Sequence, residues 1–260
     1  MIEKISGRLS YLEFKTFRDQ NACVRFYSRK GGVSPVPWDS LNQGGTVGDA
    51  RENVVENRRR IFDDVQRPVE SIFDVWQVHG TNVVCADQPR PLDTDRVKAD
   101  AILTDQSSVT LFMRFADCVP VVLFDPIRRV IGMVHAGWMG TVNGVVRHAV
   151  REMQDHYGSE PKQLMAGIGP SIGPDHYQIR SDVKKQVEDA FGPRLDGLLI
   201  SEGQSTYLNL WKANEHLLKS AGVEQIEIAE ICTACDLGHW YSHRMEKGNT
   251  GRFGAVAFLR

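Results

Sequence analysis

The chain lacks the features that mark secreted, membrane and nucleic-acid-binding proteins. Its five cysteines, at 23, 85, 118, 232 and 235, are odd in number and scattered, unlike the paired framework of a disulfide-stapled secreted domain. The opening segment MIEKISGRLSYLEFK has no apolar signal-peptide core, and no apolar run is long enough to span a bilayer. Neither sign of charge dominates: 31 basic against 33 acidic side chains leave a net −2, so no general attraction to nucleic acid or membrane follows. Neither a Gly-x-Gly-x-x-Gly run nor a Walker loop is present, which argues against nucleotide binding of those types. Repeats, low-complexity tracts and linkers are missing as well. The expectation is a cytoplasmic protein whose thiols stay reduced and free for metal or nucleophilic chemistry.

What is present fits one domain over 1–260. At 260 residues and 42% hydrophobic content, a core can form without a metal or disulfide staple. Residues 30–49 (KGGVSPVPWDSLNQGGTVGD) are dense in Gly, Pro, Ser and Asn and must be loop, and loops of this length are often functional. A second polar loop is expected over 88–97. Between them the spacing predicts a helix over 49–65, with Val54, Ile61 and Val65 on one face and Arg58 among them. An arginine on such a stripe snorkels to solvent, forms one half of an ion pair or reaches inward to an anion. Short β-like runs follow at 71–79, 82–86, 100–104, 109–115, 119–125 and 129–135. Helical patterns cover 141–156, 181–191 and 211–221, and shorter strands 163–169, 226–231 and 254–259. Strands in the middle with helices around them predict an α+β fold with sheets covered by helices.

Three strand-like runs end at a ligand-type residue beside Gly or Pro: WQVHG at His79, FADCVP at Cys118 and MVHAGW at His135. Two imidazoles and a thiolate make a good zinc set, and three protein ligands leave a fourth position for water or substrate. The same residues would also serve as a metal-free thiolate–imidazole pair for acyl transfer, and the residues alone leave both readings open. Asp117 is a candidate carboxylate for orienting a histidine or for capping a turn.

The stretch CTACDLGHWYSH, 232–243, competes as a metal site because it offers two cysteines and two histidines. A finger needs about a dozen residues between its cysteine and histidine pairs, and this gap is far shorter, so the scattered set is the expected site. Arg244 and Arg252 flank a Gly/Asn turn that would suit an anion.

The motifs GGVS, SLNQGGTVGD, ENR, QVHG, ADAILT, ADCVPVVLFDP, VHAGW-x-GT, GIGPSI, SHR and TGR, in this order from about Phe26 to Leu259, resemble one family. It was long called the multicopper polyphenol oxidase or laccase-domain family and is now described as purine nucleoside phosphorylases. The resemblance implies a four-layer αββα sandwich of mixed sheets, like that of cytotoxic-necrotizing-factor deamidases. It implies zinc on His79, Cys118 and His135, which would be both the metal ligands and the catalytic residues. It also implies substrate or phosphate roles for Asn42 and Arg58. The family usually reads HAGWRGT, whereas Met139 replaces that arginine in this chain.

The resulting expectation is a zinc-dependent phosphorylase of adenosine, inosine, guanosine and methylthioadenosine, with inorganic phosphate as co-substrate and adenosine deamination as a second activity. Alternatives are a copper-dependent phenol oxidase, a metal-free Cys–His hydrolase and a non-enzymatic zinc-binding protein. Small-molecule partners are expected, with no nucleic acid or membrane, and a monomer or weak homo-oligomer.

Overall fold

The computed structural model describes residues 1–192 and 196–260. Two six-stranded sheets stack face to face. In the first, the strands β1 (Ile2–Ser6), β2 (Leu9–Glu13), β3 (Ala22–Tyr27), β15 (Phe253–Leu259), β7 (Thr110–Phe115) and β4 (Ile72–Asp74) are neighbours in that order. In the second the order is β14 (Gln225–Ile228), β10 (Met165–Ile168), β8 (Val119–Asp125), β9 (Val130–Ala136), β6 (Ala101–Thr104) and β5 (Val83–Cys85). Each sheet is mixed, since β4 runs parallel to β7, β14 to β10 and β5 to β6. A small third sheet joins β11 (Gln178–Ile179), β13 (Ser205–Leu208) and β12 (Leu199–Glu202).

Alternation of side chains explains the layering. Along β8, Val122 and Phe124 enter the core between the sheets, while Val121 and Leu123 face outward. There they meet Val146, Val150 and Met153 of α3 (Val145–Tyr157) and Ala213 and Leu217 of α5 (Leu210–Ser220). Along β15, Ala255 and Ala257 point between the sheets, whereas Val256 and Phe258 pack under Ile61 and Phe62 of α1 (Arg51–Asp64). Strands covered on both faces have no polar side to show, hence the largely apolar runs of β8, β9 and β15, broken only by Asp125 and His135. The expected αββα sandwich is therefore observed. No helix among the described residues is long and apolar enough to cross a membrane.

The structure departs from expectation in three places. The helix expected over 141–156 is two, α2 (Trp138–Val142) and α3, because Gly144 between them is left-handed at φ 77°. The run 71–79 is strand only at β4; a single bridge at Trp76 follows, and His79 leaves the extended region at φ 60°. The strands β1 to β3 were not anticipated. Their interruption by Arg8, Lys15, Arg18 and Asp19 hides the period. They matter to the core: Phe14, just after β2, is 1% exposed, and its ring lies over Gly167 of β10, where an added Cβ would come within 2.4 Å of it. Gly167→Ala is accordingly expected to lose about 1–3 kcal/mol through overpacking, read as a lowered urea midpoint at unchanged slope.

Candidate functional site

The centre of the site is a carboxylate that the sequence reading did not single out. Asp100 immediately precedes β6 and is fully buried. Its oxygens accept backbone N–H bonds from Val78 (3.2 Å), His79 (2.9 Å) and Gly80 (2.6 Å). They also face His135 Nδ1 at 2.8 Å. A left-handed non-glycine residue such as His79 costs about 1–2 kcal/mol, and this triple acceptance holds it there. The His135 contact fixes that ring through Nδ1 and leaves Nε2 for a ligand. Asp117, a candidate for orienting a histidine or capping a turn, accepts from Thr233 Oγ1 at 2.7 Å and from the Arg244 backbone N–H at 2.6 Å and, among the described residues, hydrogen-bonds to neither His79 nor His135. That anchors its own left-handed backbone, φ 82°, beside Cys118.

The strand register then brings the three expected residues together. Pro120 of β8 pairs with His135 of β9 and Val119 with Ala136, so Cys118 stands at the end of the strand neighbouring His135. Ligand atoms of His79, Cys118 and His135 all lie within 4.8 Å of one another, and the two imidazole rings meet edge-on at 4.9 Å. His135 is buried, Cys118 half-buried and His79 exposed, so the cluster opens on one side. Gly137 passes underneath, where a Cβ would sit 2.9 Å from His79 Cδ2 and 3.1 Å from Cys118 Sγ. Only a residue without a side chain leaves that space to the ligands.

Burial pushes the Cys118 thiol up, but the charge of His135 and a smaller contribution from His79 outweigh it and bring it down to about 6. Burial likewise disfavours the His135 imidazolium, yet Cys118 and Asp100 raise it to about 9. One thiolate and two imidazoles, one already oriented by a carboxylate, fit a zinc ion by donor type and spacing.

Around this cluster stand residues from the C-terminal segment. His243 is lowered by burial and by Arg252, and His79, Asp117 and Arg244 also act on it. The guanidinium of Arg252 is also weakened by burial, partly offset by the negative charges of Cys118 and Asp117. Arg244 lies over the Tyr177 ring at 4.8 Å.

Asn42 and Arg58 are not in the triad. Asn42 is fully buried and its amide is engaged at both ends. The carbonyl accepts from Gly44 (2.8 Å) and the Arg252 backbone (2.9 Å), and Nδ2 donates to Gly44 O and Asp49 Oδ2. Arg58 lies over Phe112 at 4.7 Å and donates to Gln43 O at 3.0 Å. Burial destabilises its charge, as does Arg114, one of three further arginines grouped about the buried Asp74. Its Nε is buried and finds no acceptor among the described residues. The neighbouring Asn57, also missed in the sequence, ties the 30–49 loop to α1 through Val33, Ser34, Ser40 and Asn42. Met139 is 40% exposed in the first turn of α2.

Asp100→Asn is expected to weaken zinc binding about 10–100-fold, measured by chelator competition, because it strips His135 of its charged partner. In metal-stripped wild type, alkylation of the Cys118 peptide should rise with pH through about 6, since the thiolate is the reactive form. The midpoint should move upward in Asp100→Asn, and added zinc should suppress the reaction throughout. Unchanged affinity and midpoint would remove Asp100 from its organising role.

A family model described as multi-copper polyphenol oxidoreductase laccase matches residues 23–260. The purine nucleoside phosphorylase YlmD of Geobacillus stearothermophilus is 35% identical, covering 89% of this chain and 87% of the relative. The purine nucleoside phosphorylase of Deinococcus radiodurans is 36% identical, with coverages of 90% and 88%. Among solved structures, YlmD from Geobacillus stearothermophilus superposes with a TM-score of 0.92 at 31% identity, covering 100% of this chain and 99% of that one. The hypothetical protein YfiH of Bacillus licheniformis gives 0.89 at 30% identity, covering 98% and 97%. By the family match along nearly its whole length and by its fold, the chain belongs to the laccase-like family whose curated relatives are named purine nucleoside phosphorylases.

Proposed function

We propose that the protein is a zinc-dependent purine nucleoside phosphorylase of the cytoplasm, acting on adenosine, inosine, guanosine or methylthioadenosine with inorganic phosphate. The observation that carries this reading is the open His79–Cys118–His135 cluster with Arg252 beside it, in a chain similar to enzymes of that name. Zinc held by the three side chains would supply Lewis acidity at an open fourth position. Two imidazoles at the cluster are too few for a multicopper centre, which argues against phenol oxidation despite the family's label.

In phosphorolysis a phosphate oxygen bonds to C1′ as the C1′–N9 bond breaks. The electron pair leaves with the purine, which takes up a proton. The chain's own contribution is to hold the anion and orient the sugar. Arg252 donates from one terminal nitrogen to Thr250 O and Gly251 O, which steadies the guanidinium and leaves its other nitrogens as candidate donors to phosphate. Asn42 acts as a positioning residue, because its carbonyl fixes the Arg252 backbone. The orphaned Arg58 Nε is a second phosphate-holding candidate. His243, kept neutral by burial and adjacent cations, can hydrogen-bond the departing base. Deamination of adenosine, in which water oxygen adds at C6 and ammonia leaves, uses the same pocket.

The test is to incubate pure protein with adenosine, inosine, guanosine and methylthioadenosine, with and without phosphate. Phosphate-dependent release of free base is expected, and ammonia release would report deamination. Cys118→Ala and His79→Ala should lose turnover together with the zinc, and Arg252→Ala should raise KM for phosphate about tenfold or more. Full turnover in Cys118→Ala sinks the reading. A metal-free Cys–His hydrolase, favoured only by the low Cys118 pKa, would instead be inhibited by added zinc.

A further inference from the structure

The C-x2-C of the C-terminal segment does not meet the histidines that follow it in sequence. His239 turns to Asp236 and Lys30, and His243 joins the rim of the catalytic cluster. Cys232 and Cys235 face the loop after β10 instead. Cys232 Sγ is 3.7 Å and Cys235 Sγ 3.6 Å from His176 Nδ1, and Cys235 Sγ is 3.4 Å from Asp175 Oδ2. Asp175 Oδ2 lies 2.9 Å from His176 Nδ1, and ligand atoms of all four residues fall within 4.8 Å of one another.

We propose that Asp175, His176, Cys232 and Cys235 form a second, structural zinc site, separate from the catalytic cluster. Zinc bonds of about 2.3 Å to sulfur and about 2.1 Å to nitrogen or oxygen place tetrahedral ligand atoms roughly 3.3–3.8 Å apart. The separations of both sulfurs from His176 Nδ1 and of Cys235 Sγ from Asp175 Oδ2 match such edges. The nitrogen–oxygen edge is shorter, as for a direct hydrogen bond, and the two remaining edges at Cys232 lie within 4.8 Å. The backbone prepares the arrangement. Gly173 N–H donates to Cys232 Sγ at 3.1 Å, a contact that fixes the sulfur at the edge of the cradle. A Cβ at Gly173 would come within 2.6 Å of Asp175 Oδ1 and 3.1 Å of Cys232 Sγ, so glycine keeps the cradle clear. Two thiolates, an imidazole and a carboxylate form a closed set with no vacancy for substrate, which makes the site structural rather than catalytic. Binding would release the two thiol protons to solvent.

The position explains what such an ion does. Residues 171 and 232 are joined by a parallel bridge, with Ser171 N–H to Ile231 O at 3.1 Å and Thr233 N–H to Ser171 O at 3.0 Å. The same two loops hold the residue beside the catalytic thiol, through Ile172 N–H to Asp117 O at 2.9 Å and Thr233 Oγ1 to Asp117 Oδ1 at 2.7 Å. An ion across residues 175–176 and 232–235 locks both supports of Asp117 together from the solvent side.

The test is metal analysis of the intact protein purified from zinc-supplemented cells without chelators. Wild type should carry about two zinc per chain and Cys235→Ser or His176→Ala about one, since each variant removes a ligand from one site only. In a Cys118→Ser background, which lacks the catalytic thiolate, cobalt(II) should still give a sulfur-to-metal charge-transfer band. That band should vanish when Cys235→Ser is added, with the fold checked by circular dichroism. Zinc content identical in wild type and Cys235→Ser, or a Cys232–Cys235 disulfide in place of metal, overturns the proposal. Because the cobalt band is read without the catalytic site, failure of the nucleoside reading would leave this result untouched.

Discussion

A buried carboxylate that accepts three backbone N–H bonds and faces one imidazole is the interaction on which the rest of the site depends. Asp100 would be costly to bury alone; burial raises its pKa, and His135 with the N–H groups of residues 79 and 80 bring it below its ordinary value. In return its charge does two unrelated jobs. It holds His79 in a left-handed conformation that the chain would otherwise leave, and it supplies the anion that keeps His135 oriented and protonatable. Both histidines of the metal set are therefore aimed by one residue, 21 positions from one and 35 from the other. Burying a charge with every lone pair occupied is the condition under which such a group stabilises rather than disrupts a core.

Much of this was legible in the sequence, for physical reasons. β8, β9 and β15 sit between two packed layers and must be largely apolar, so their runs stand out. The three candidate ligand residues stand out because each closes an apolar run within two residues of Gly or Pro, although only His135 lies within a strand. Asp100 stayed hidden because its role is set by backbone N–H groups, which every sequence has and none displays. The partners of Cys232 and Cys235 were hidden for a related reason. A parallel bridge between residues 171 and 232 creates the neighbourhood, and close spacing within 232–243 pointed to the wrong histidines. The N-terminal strands are hard to read because β1 lies at a sheet edge where Ile5 is exposed and Lys4 half-buried, which erases the apolar alternation of a half-buried strand.

The polar loop 30–49 shows how a segment with little apolar content becomes a fixed wall. Asn57, fully buried on α1, gathers it by side-chain bonds to Val33, Ser34, Ser40 and Asn42. Asp49 adds bonds to Ser34 and Asn42. The loop's order thus comes from saturating buried amide and carboxylate groups rather than from apolar contact, which is the regime in which removing one partner leaves others unsatisfied.

The bond from the Arg252 backbone to the Asn42 carbonyl spans 210 positions of the chain, and it divides the site by the order in which its parts can assemble. The two histidines aimed by Asp100 close loops of 21 and 35 positions and resemble a local folding unit, whereas Asp117 beside Cys118 is anchored from Thr233 and Arg244. The half built on Asn42 and Arg252 exists only after the last strand, β15, has inserted between β3 and β7 and carried Arg252 back to the first loop. Loop-closure entropy makes that long-range step the late one. The histidine pair aimed by Asp100 and the wall that Arg252 completes thus belong to different stages of the chain's maturation.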